Sequence, residues 1–370
     1  MIGNNYHISF CTAIRNRLCH LRETLPQNIL KNKDYDHLQF VILDYNSSDG
    51  LEEWMAQEMA GFIETGKVVY FRTRDPGLFH RTHCMNLLFD LADGDILCNI
   101  DADNFAGEQF AGFVNDAFQP GTPVFLATND DSARVDNDVL GRICVRKSDF
   151  LSVGGYDENM EGHGFEDYDL INRLSLSGLK KIVIRKPEFL HAISHDNKLR
   201  IMEEKGYHDF HKLLIRYLDP ARSELVALLK DGIAQRGTLV DRKSLKASVI
   251  GPDSRKPAEY NYFLQETDWE NGSWTEAGSK IVLSFSTIGQ LVLLESKKGY
   301  LLHNAKRYYP LKDEGNIFEF ILFQSQMANR HKMSANLTMG LATKKSPGSK
   351  IGKVFKNFND HSPHLYFYYE

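Results

Sequence analysis

Two aspartates one residue apart, Asp101 and Asp103, follow directly on the apolar run DILCNI (95–100). On an extended backbone, residues i and i+2 point to the same side. At the open end of a strand such a pair can hold one hard divalent cation through oxygen ligands. The cation can then be shared with phosphate oxygens. Aspartates in turns also serve simply to cap helices. The buried strand ahead of this pair favours the metal, because ligands sit beyond the carboxyl ends of strands in open α/β sheets. A second cluster lies in VGGYDENMEGHGFEDYDL (153–170). Gly154, Gly155, Gly162 and Gly164 make a pliable loop, and Glu166, Asp167 and Asp169 then open a helix. One acid there answers the helix dipole. Three are more than a helix start needs, and they suit a general base. A third segment, LHAISHDNK (190–198), carries His191 and His195. Imidazole beside a hard-cation site tilts preference from magnesium towards manganese. Arg15-Asn16-Arg17 and His80-Arg81 stand where strands give way to helices. Their guanidinium forks fit phosphate and carbonyl edges.

These groups need elements to hold them. HISFCTAI (7–14), LQFVILDY (38–45), KVVYFRT (67–73) and DILCNI read as strands. Residues 18–32, 51–62 and 80–93 read as helices between them. Continuous apolar runs suit strands buried on both faces of a parallel sheet. The rhythm predicts an open α/β sheet with helices on both faces. From about 203 to 240, LLIRYL and ELVALLKDGI space their apolar residues by three and four, which predicts helices. RKSLKASVIGPDSRKPAEY (242–260) reads as a linker. KIVLSFS, GQLVLLES, GYLLHNA, NIFEFILFQS, NLTMGLAT and HLYFYYE then predict an all-β module, a sandwich or small barrel, over 260–370. The expected organisation is therefore a catalytic domain over 1–202, a helical segment and linker over 203–259, and a β-sandwich-like accessory module over 260–370.

Composition narrows the function. Of 370 residues, 44 are basic and 49 acidic, a net charge of -5, which argues against nucleic-acid binding through a bulk positive field. No apolar run approaches the length of a membrane-spanning helix. The N-terminus MIGNNYHISFCTAIRN shows no signal-peptide pattern. The five cysteines are odd in number and form no CxxC pair, which predicts reduced thiols in the cytoplasm.

Together these pieces resemble a GT-A glycosyltransferase, with the closest likeness to the inverting β-1,4-galactosyltransferases and bacterial family 2 enzymes. TAIRNRLCHL (12–21) is similar to that family's Pro-Phe-Arg-Asn-Arg segment lining the uridine pocket, which places Arg15 and Arg17 there. LDYNSSDG (43–50) resembles the family 2 turn whose first acid, here Asp44, contacts uracil. FHRTHCMN (79–86) resembles Phe-Asn-Arg-Ala-Lys-Leu-Leu-Asn and sets Arg81 against the nucleotide. The resemblance makes Asp101 a nucleotide-sugar contact and Asp103 and His195 the metal ligands, with manganese as the ion and magnesium as the alternative. GHGFEDYD (162–169) resembles Gly-Trp-Gly-Gly-Glu-Asp-Asp-Asp, which makes Asp167 the catalytic base and Glu166 a sugar contact. Asp138–Arg142 takes the position that faces the donor sugar. The chain departs from the pattern at His163, Phe165 and Ala192, where the family has Trp, Gly and a metal-binding Met. The likeness covers roughly residues 6–200.

It implies a GT-A, Rossmann-like nucleotide-sugar domain that moves a hexose or N-acetylhexosamine, with inversion, from a UDP-sugar to a saccharide or lipid-linked saccharide acceptor. Bacterial surface polysaccharide is the expected product class. The basic stretches allow contact with the inner face of a membrane. A retaining GT-A transferase and a catalytically inactive glycan-binding protein are the alternatives, and the oligomeric state stays open.

Overall fold

The apolar runs of the first hundred residues become strands covered on both sides. In the computed structural model β1 (Ile8–Ile14), β2 (Leu38–Tyr45), β3 (Val68–Thr73) and β4 (Ile96–Asn99) run parallel, in the order β3-β2-β1-β4. Successive side chains of a strand face opposite ways. Phe10, Phe40 and Ile42 accordingly enter one core, and Cys11, Val41 and Leu43 enter another. The connecting helices are α1 (Leu18–Lys31), α2 (Leu51–Glu58), α3 (Ala60–Glu64) and α4 (Arg81–Leu91). Leu21, Leu25 and Ile29 of α1 join the first core, and Cys84 and Leu88 of α4 the second. The helices thus cover both faces, as the rhythm predicts. The structure describes residues 5–119, 121–129, 139–219, 221–241, 262–264, 269–302, 306–339 and 350–368.

Past β4 come β5 (Asn104–Phe105), α5 (Phe110–Ala117), β6 (Val124–Ala127), β7 (Ile143–Arg146) and α6 (Lys147–Ser152). Next are α7 (Glu166–Leu176), β8 (Lys180–Val183), a 3-10 turn (Pro187–Phe189) and β9 (His191–Ala192). β7 pairs antiparallel with β4, β6 antiparallel with β7, and β8 parallel with β6. β5 and β9 form a separate antiparallel ribbon.

Two compact units result, residues 1–196 with 328–370, and residues 197–327. The second begins with α8 (Asn197–Ile201) and α9 (Lys205–Asp209). It continues as β10 (Phe210–Tyr217), β11 (Arg222–Leu229), β12 (Ile233–Asp241), β13 (Tyr262–Leu264) and β14 (Glu270–Ala277). β15 (Lys280–Phe285), β16 (Gly289–Ser296), β17 (Gly299–Leu302) and β18 (Arg307–Pro310) follow. The sheet closes into a barrel because β11 pairs with both β10 and β12. A helix, α10 (Glu314–Met339), leads to β19 (Lys350–Lys356) and β20 (Asn359–Tyr368).

The sequence-based organisation needs three corrections. The segment 203–240, expected to be helical, is mostly strand. In β11 the residues Val226 and Leu228 enter the barrel core while Leu225 and Ala227 enter a second cluster on the outer face. A strand buried on both sides carries a continuous apolar run, which periodicity alone does not separate from a buried helix. NIFEFILFQS (316–325), expected as a strand, lies within α10 for the same reason. Finally, 260–370 is no single β-sandwich. The strands up to β18 belong to a barrel that starts near 210, whereas β19 and β20 extend the first sheet beside β3. The linker expected at 242–260 lies outside the described residues, as does the second half of NLTMGLAT (336–343), whose first four residues, expected as strand, end α10. Among the described residues no helix is long and apolar enough to cross a membrane.

Candidate active site

The strand-tip aspartates come first. After β4 the chain leaves the sheet at Ile100, whose N–H still bonds the carbonyl of Cys11 (2.9 Å). Asp101 accepts from Asn99 Nδ2 at 3.1 Å. Asp103 accepts from Asn104 Nδ2 at 2.8 Å and, through its other oxygen, from His195 Nε2 at 2.8 Å. The ribbon of β5 and β9 creates that last contact: Asn104 pairs with Ala192, and the N–H of Ile193 bonds the carbonyl of Asp103 at 2.8 Å. A histidine 92 residues away is thus brought onto the DxD turn. His191 is exposed in the same ribbon, paired with Phe105, and leaves the position to His195.

The donor set suits a divalent ion. Two atoms bound side by side to an octahedral ion at about 2.1 Å stand roughly 3.0 Å apart, and the carboxylate oxygen and imidazole nitrogen have that spacing. The His195 and Asp103 side chains are 9% and 14% exposed, so solvent still reaches them. Among the described residues no group of three or more His, Cys, Asp or Glu completes a cage.

The turn is held from behind by α1, through residues that motif reasoning passes over. His20, Thr24, Asn28 and Asn32 recur every four positions and are buried. Side chains at this spacing share one helix face. Thr24 Oγ1 donates to the Ala102 carbonyl (2.7 Å), Asn28 Nδ2 to the Asn104 carbonyl (3.0 Å) and Asn32 Nδ2 to the Gly107 carbonyl (3.0 Å). Asn28 Oδ1 also accepts from the Ala106 N–H (2.7 Å). The His20 ring lies against His195, tilted by 31° with centroids 5.5 Å apart, and burial holds its pKa below the usual histidine value against the pull of Asp103. The signal for this stripe was a run of polar residues at period four inside an otherwise apolar helix face.

Arg142 is the other residue out of place. Asp138 lies outside the described residues, and Arg142, expected with it to face the donor sugar, points inward and is fully buried. Its guanidinium donates to the Phe189 and Phe105 carbonyls and to Asn104 Oδ1. Burial brings its pKa down to about 10, opposed by the nearby Asp101 and Asp103 charges. It is a fixed positive charge behind the turn.

The acid cluster faces the same turn. Phe165, in the left-handed region (φ 69°), precedes α7, which starts at Glu166. Glycine occupies that position without strain, and here a phenylalanine holds it. Glu166 is buried with Arg81 Nε 3.5 Å from its Oε1. Burial raises its pKa, and Arg81 opposes the rise. Asp167 is partly exposed and accepts from Tyr156 Oη at 3.4 Å. Burial of its carboxyl, then the charges of Glu166 and Asp101, push its pKa well above the ordinary range. Gly141 shows how close the two clusters come. A Cβ there would stand 3.0 Å from Asp101 Oδ2 and 3.4 Å from Asp167 Oδ2. The strand-tip acid and the loop acid thus flank one glycine.

Arg15, Arg17 and Asp44 lie farther along the same carboxyl edge. Asp44 is the last but one residue of β2, opposite Ile14 of β1. Its oxygens accept from Tyr70 Oη and the Ser47 N–H, both at 2.8 Å, and burial raises its pKa. Arg15 donates to the carbonyls of Tyr45 (3.2 Å), Pro76 (3.1 Å) and Gly77 (2.7 Å), tying the loop after β3 to the end of β2. Arg17 donates to the Asn16 carbonyl just ahead of α1. Arg15, Arg81 and Asp44 all act on the buried Cys84 thiol electrostatically. The structure thus unites Asp101, Asp103, His195, Arg81, Glu166 and Asp167, and sets Arg15, Arg17 and Asp44 beside them as a second cluster.

Residues 133–223 match the family model Glycosyltransferase like family 2. A 40-residue stretch is 50% identical to chondroitin sulfate synthase 3 of Homo sapiens, and an equal match is found to that of Mus musculus; it covers 11% of this chain and 4% of the relative. Among solved structures, a mannosyltransferase from Pyrobaculum calidifontis, in complex with GDP-Man and Mn2+, is 17% identical over 55% of this chain and 59% of its own, with a TM-score of 0.43. The catalytic domain of Drosophila β1,4-galactosyltransferase 7, in complex with xylobiose, is 16% identical over 54% and 74%, with a TM-score of 0.36. TarS of S. aureus is 12% identical over 46% and 55%, with a TM-score of 0.35. The matched segment of this chain thus holds the acid loop, α7 and His195.

Proposed function

We propose, for a chain with a family 2-like glycosyltransferase segment over 133–223, that it transfers a hexose or N-acetylhexosamine from a UDP-sugar to a saccharide acceptor and inverts the anomeric centre. The observation that carries this is the 2.8 Å pair of Asp103 and His195 at the carboxyl end of β4, with Asp167 facing the same turn across Gly141. Asp103 and His195 would hold a manganese or magnesium ion, which when bound supplies Lewis-acid neutralisation of the leaving diphosphate.

The chain's own groups do the rest. Asp167, partly exposed, takes the proton of the acceptor hydroxyl as that oxygen attacks the anomeric carbon. The bond from that carbon to the diphosphate oxygen breaks in the same displacement, and UDP leaves. General-base help of this kind is typically worth ~10²–10⁴-fold. A pKa above the ordinary carboxylate range makes Asp167 a stronger base once ionised. Arg81 sits between the acids and the strand tip, where its charge balances Glu166 and positions the nucleotide. Asp101 stands next to the metal pair, where the donor must pass. Arg15, Arg17 and Asp44 shape the edge that receives the base and ribose. An acceptor in bacterial surface polysaccharide synthesis and a cytoplasmic location, peripheral to the membrane, complete the reading.

The test is a panel of UDP-sugars, with and without manganese, scored by thermal stabilisation and followed by NMR of the product's anomeric configuration. Metal-dependent stabilisation by one donor and a product of inverted configuration support the proposal. Retention would assign the retaining alternative. No stabilisation by any UDP-sugar would sink the UDP-sugar transferase reading.

A further inference from the structure

The acid loop is held by a helix whose residues follow it by more than 160 positions. Asn336 and Asn329 are seven residues apart in α10, two helical turns, and so share a face. Both are buried, at 4% and 0% exposure. One N–H of the Asn336 amide reaches Asp157 Oδ2 and the other Asp169 Oδ1, each at 2.9 Å. Asp157 and Asp169 are themselves 3% and 1% exposed. Two buried carboxylates facing each other would repel. A primary amide carries two donors and no charge, so it bridges them without adding a third ion. Arg173 Nε, at 2.7 Å from Asp169 Oδ2, supplies the positive charge from within α7. Two turns earlier on α10, Asn329 Nδ2 donates to the Gly164 carbonyl at 2.9 Å. Between them Lys332 Nζ donates to the Asn159 carbonyl.

These bonds bracket Glu166 and Asp167. Gly164 stands two residues before Glu166, and Asp169 two residues after Asp167. We infer that Asn329 and Asn336 are positioning residues for the acid loop: the helix after the barrel fixes the backbone that aims Asp167. This rests on the proposed transferase reading for its catalytic consequence, but its structural part stands alone. It ties part of the segment past 260, expected as an accessory module, to the acid loop.

The experiment uses the full chain with Asn329→Leu and Asn336→Leu, which keep the side-chain size and remove the amide donors. Amide hydrogen exchange over 157–169 is compared with exchange over β1 and β2. Turnover of the donor found in the UDP-sugar panel is measured per UDP-binding site, counted by calorimetry with UDP and manganese. The expected result is exchange at least tenfold faster in 157–169 alone, with kcat per site at least tenfold lower and donor KM within about twofold. A merely structural role would lower the number of sites and leave kcat per site unchanged, and that outcome overturns the inference, as does unchanged exchange in the loop. If Asn336→Leu does not fold, Asn329→Leu carries the test, since it leaves the Asp157–Asp169 bridge intact. If the parent chain turns over no UDP-sugar, the transferase reading fails and exchange alone decides the positioning.

Discussion

Asp167 stands where burial, Glu166 and Asp101 all oppose its ionisation, and the consequence can be measured in two ways. Its pKa is raised in the folded protein, so the folded state binds the proton more tightly than the unfolded chain. Its favourable contribution is present below the unfolded carboxylate value, about 3.9, and is lost as pH rises through the raised value. At neutral pH the carboxyl, which the unfolded chain ionises freely, is therefore a cost to folding. Asp167→Asn should raise the unfolding midpoint at pH 7, by about 2–4 °C per kcal/mol relieved, and the gap from the parent should close towards pH 4. The same variant should lose transfer and keep metal-dependent UDP binding. In the parent, kcat/KM should climb with pH through a value above the ordinary carboxylate range, since only the ionised base accepts a proton. Asp103→Ala is different: it removes one of two protein donors and should abolish the manganese dependence of UDP binding in calorimetry. The resemblance singled out Asp103, His195 and Asp167, and the structure brings these three to one turn. Arg142 was misjudged because its position near the donor says nothing of which way the side chain turns. Burial and three oxygen acceptors decide that, and they come from distant parts of the chain.

At the scale of elements, α1 does more than cover the sheet. Its polar stripe satisfies backbone groups of the 102–107 turn, which leaves the main sheet and has only the short β5–β9 ribbon of its own. Asn28→Ala would strand the Ala106 N–H and the Asn104 carbonyl, both buried groups. An unsatisfied buried polar group costs about 1–3 kcal/mol. The variant should unfold at lower temperature and bind UDP with manganese more weakly, although Asn28 touches neither ligand; calorimetry on the folded fraction checks the second effect. The early strands and helices were legible because each alternates between two cores or packs one stripe. β10 and β11 were not, because their central residues, covered on both sides, lose the period of two in polarity. The same ambiguity turned the start of α10 into an expected strand, where Phe318, Phe320 and Ile321 are all buried. In such runs the neighbours, rather than the pattern, choose the element.

For the molecule as a whole, chain order and spatial order part company at the C-terminus. The last strands lie in the first sheet, next to β3. Val354 is fully buried in the core that holds Cys11 and Leu88. Asn357 Oδ1 accepts from the Tyr70 N–H at 2.9 Å, Tyr366 Oη and Thr73 Oγ1 are 2.5 Å apart, and His83 Nε2 bonds the Phe367 carbonyl at 2.7 Å. His83 in turn meets Tyr45 Oη at 2.7 Å, at the end of β2 beside Asp44. Without this hairpin β3 would present an unpaired, apolar edge, the kind that seeds aggregation. A chain ending at Met339 still contains Asp103, Asp167, His195 and both α10 asparagines. If the hairpin were a dispensable appendage, that chain would keep the parent's unfolding midpoint and its affinity for UDP with manganese. We expect instead a lower midpoint, a soluble yield reduced several-fold, and protease cleavage within the first sheet, because the edge and the His83–Tyr45 contact lose their partners. A truncation near 255, just ahead of the expected accessory module, would take away this hairpin and the α10 asparagines as well. Because it also removes β13 to β18, loss of activity in it would not separate the barrel from the catalytic unit. A chain cut at 339 separates the two: it keeps the barrel and the helix, so any loss belongs to β19 and β20 alone.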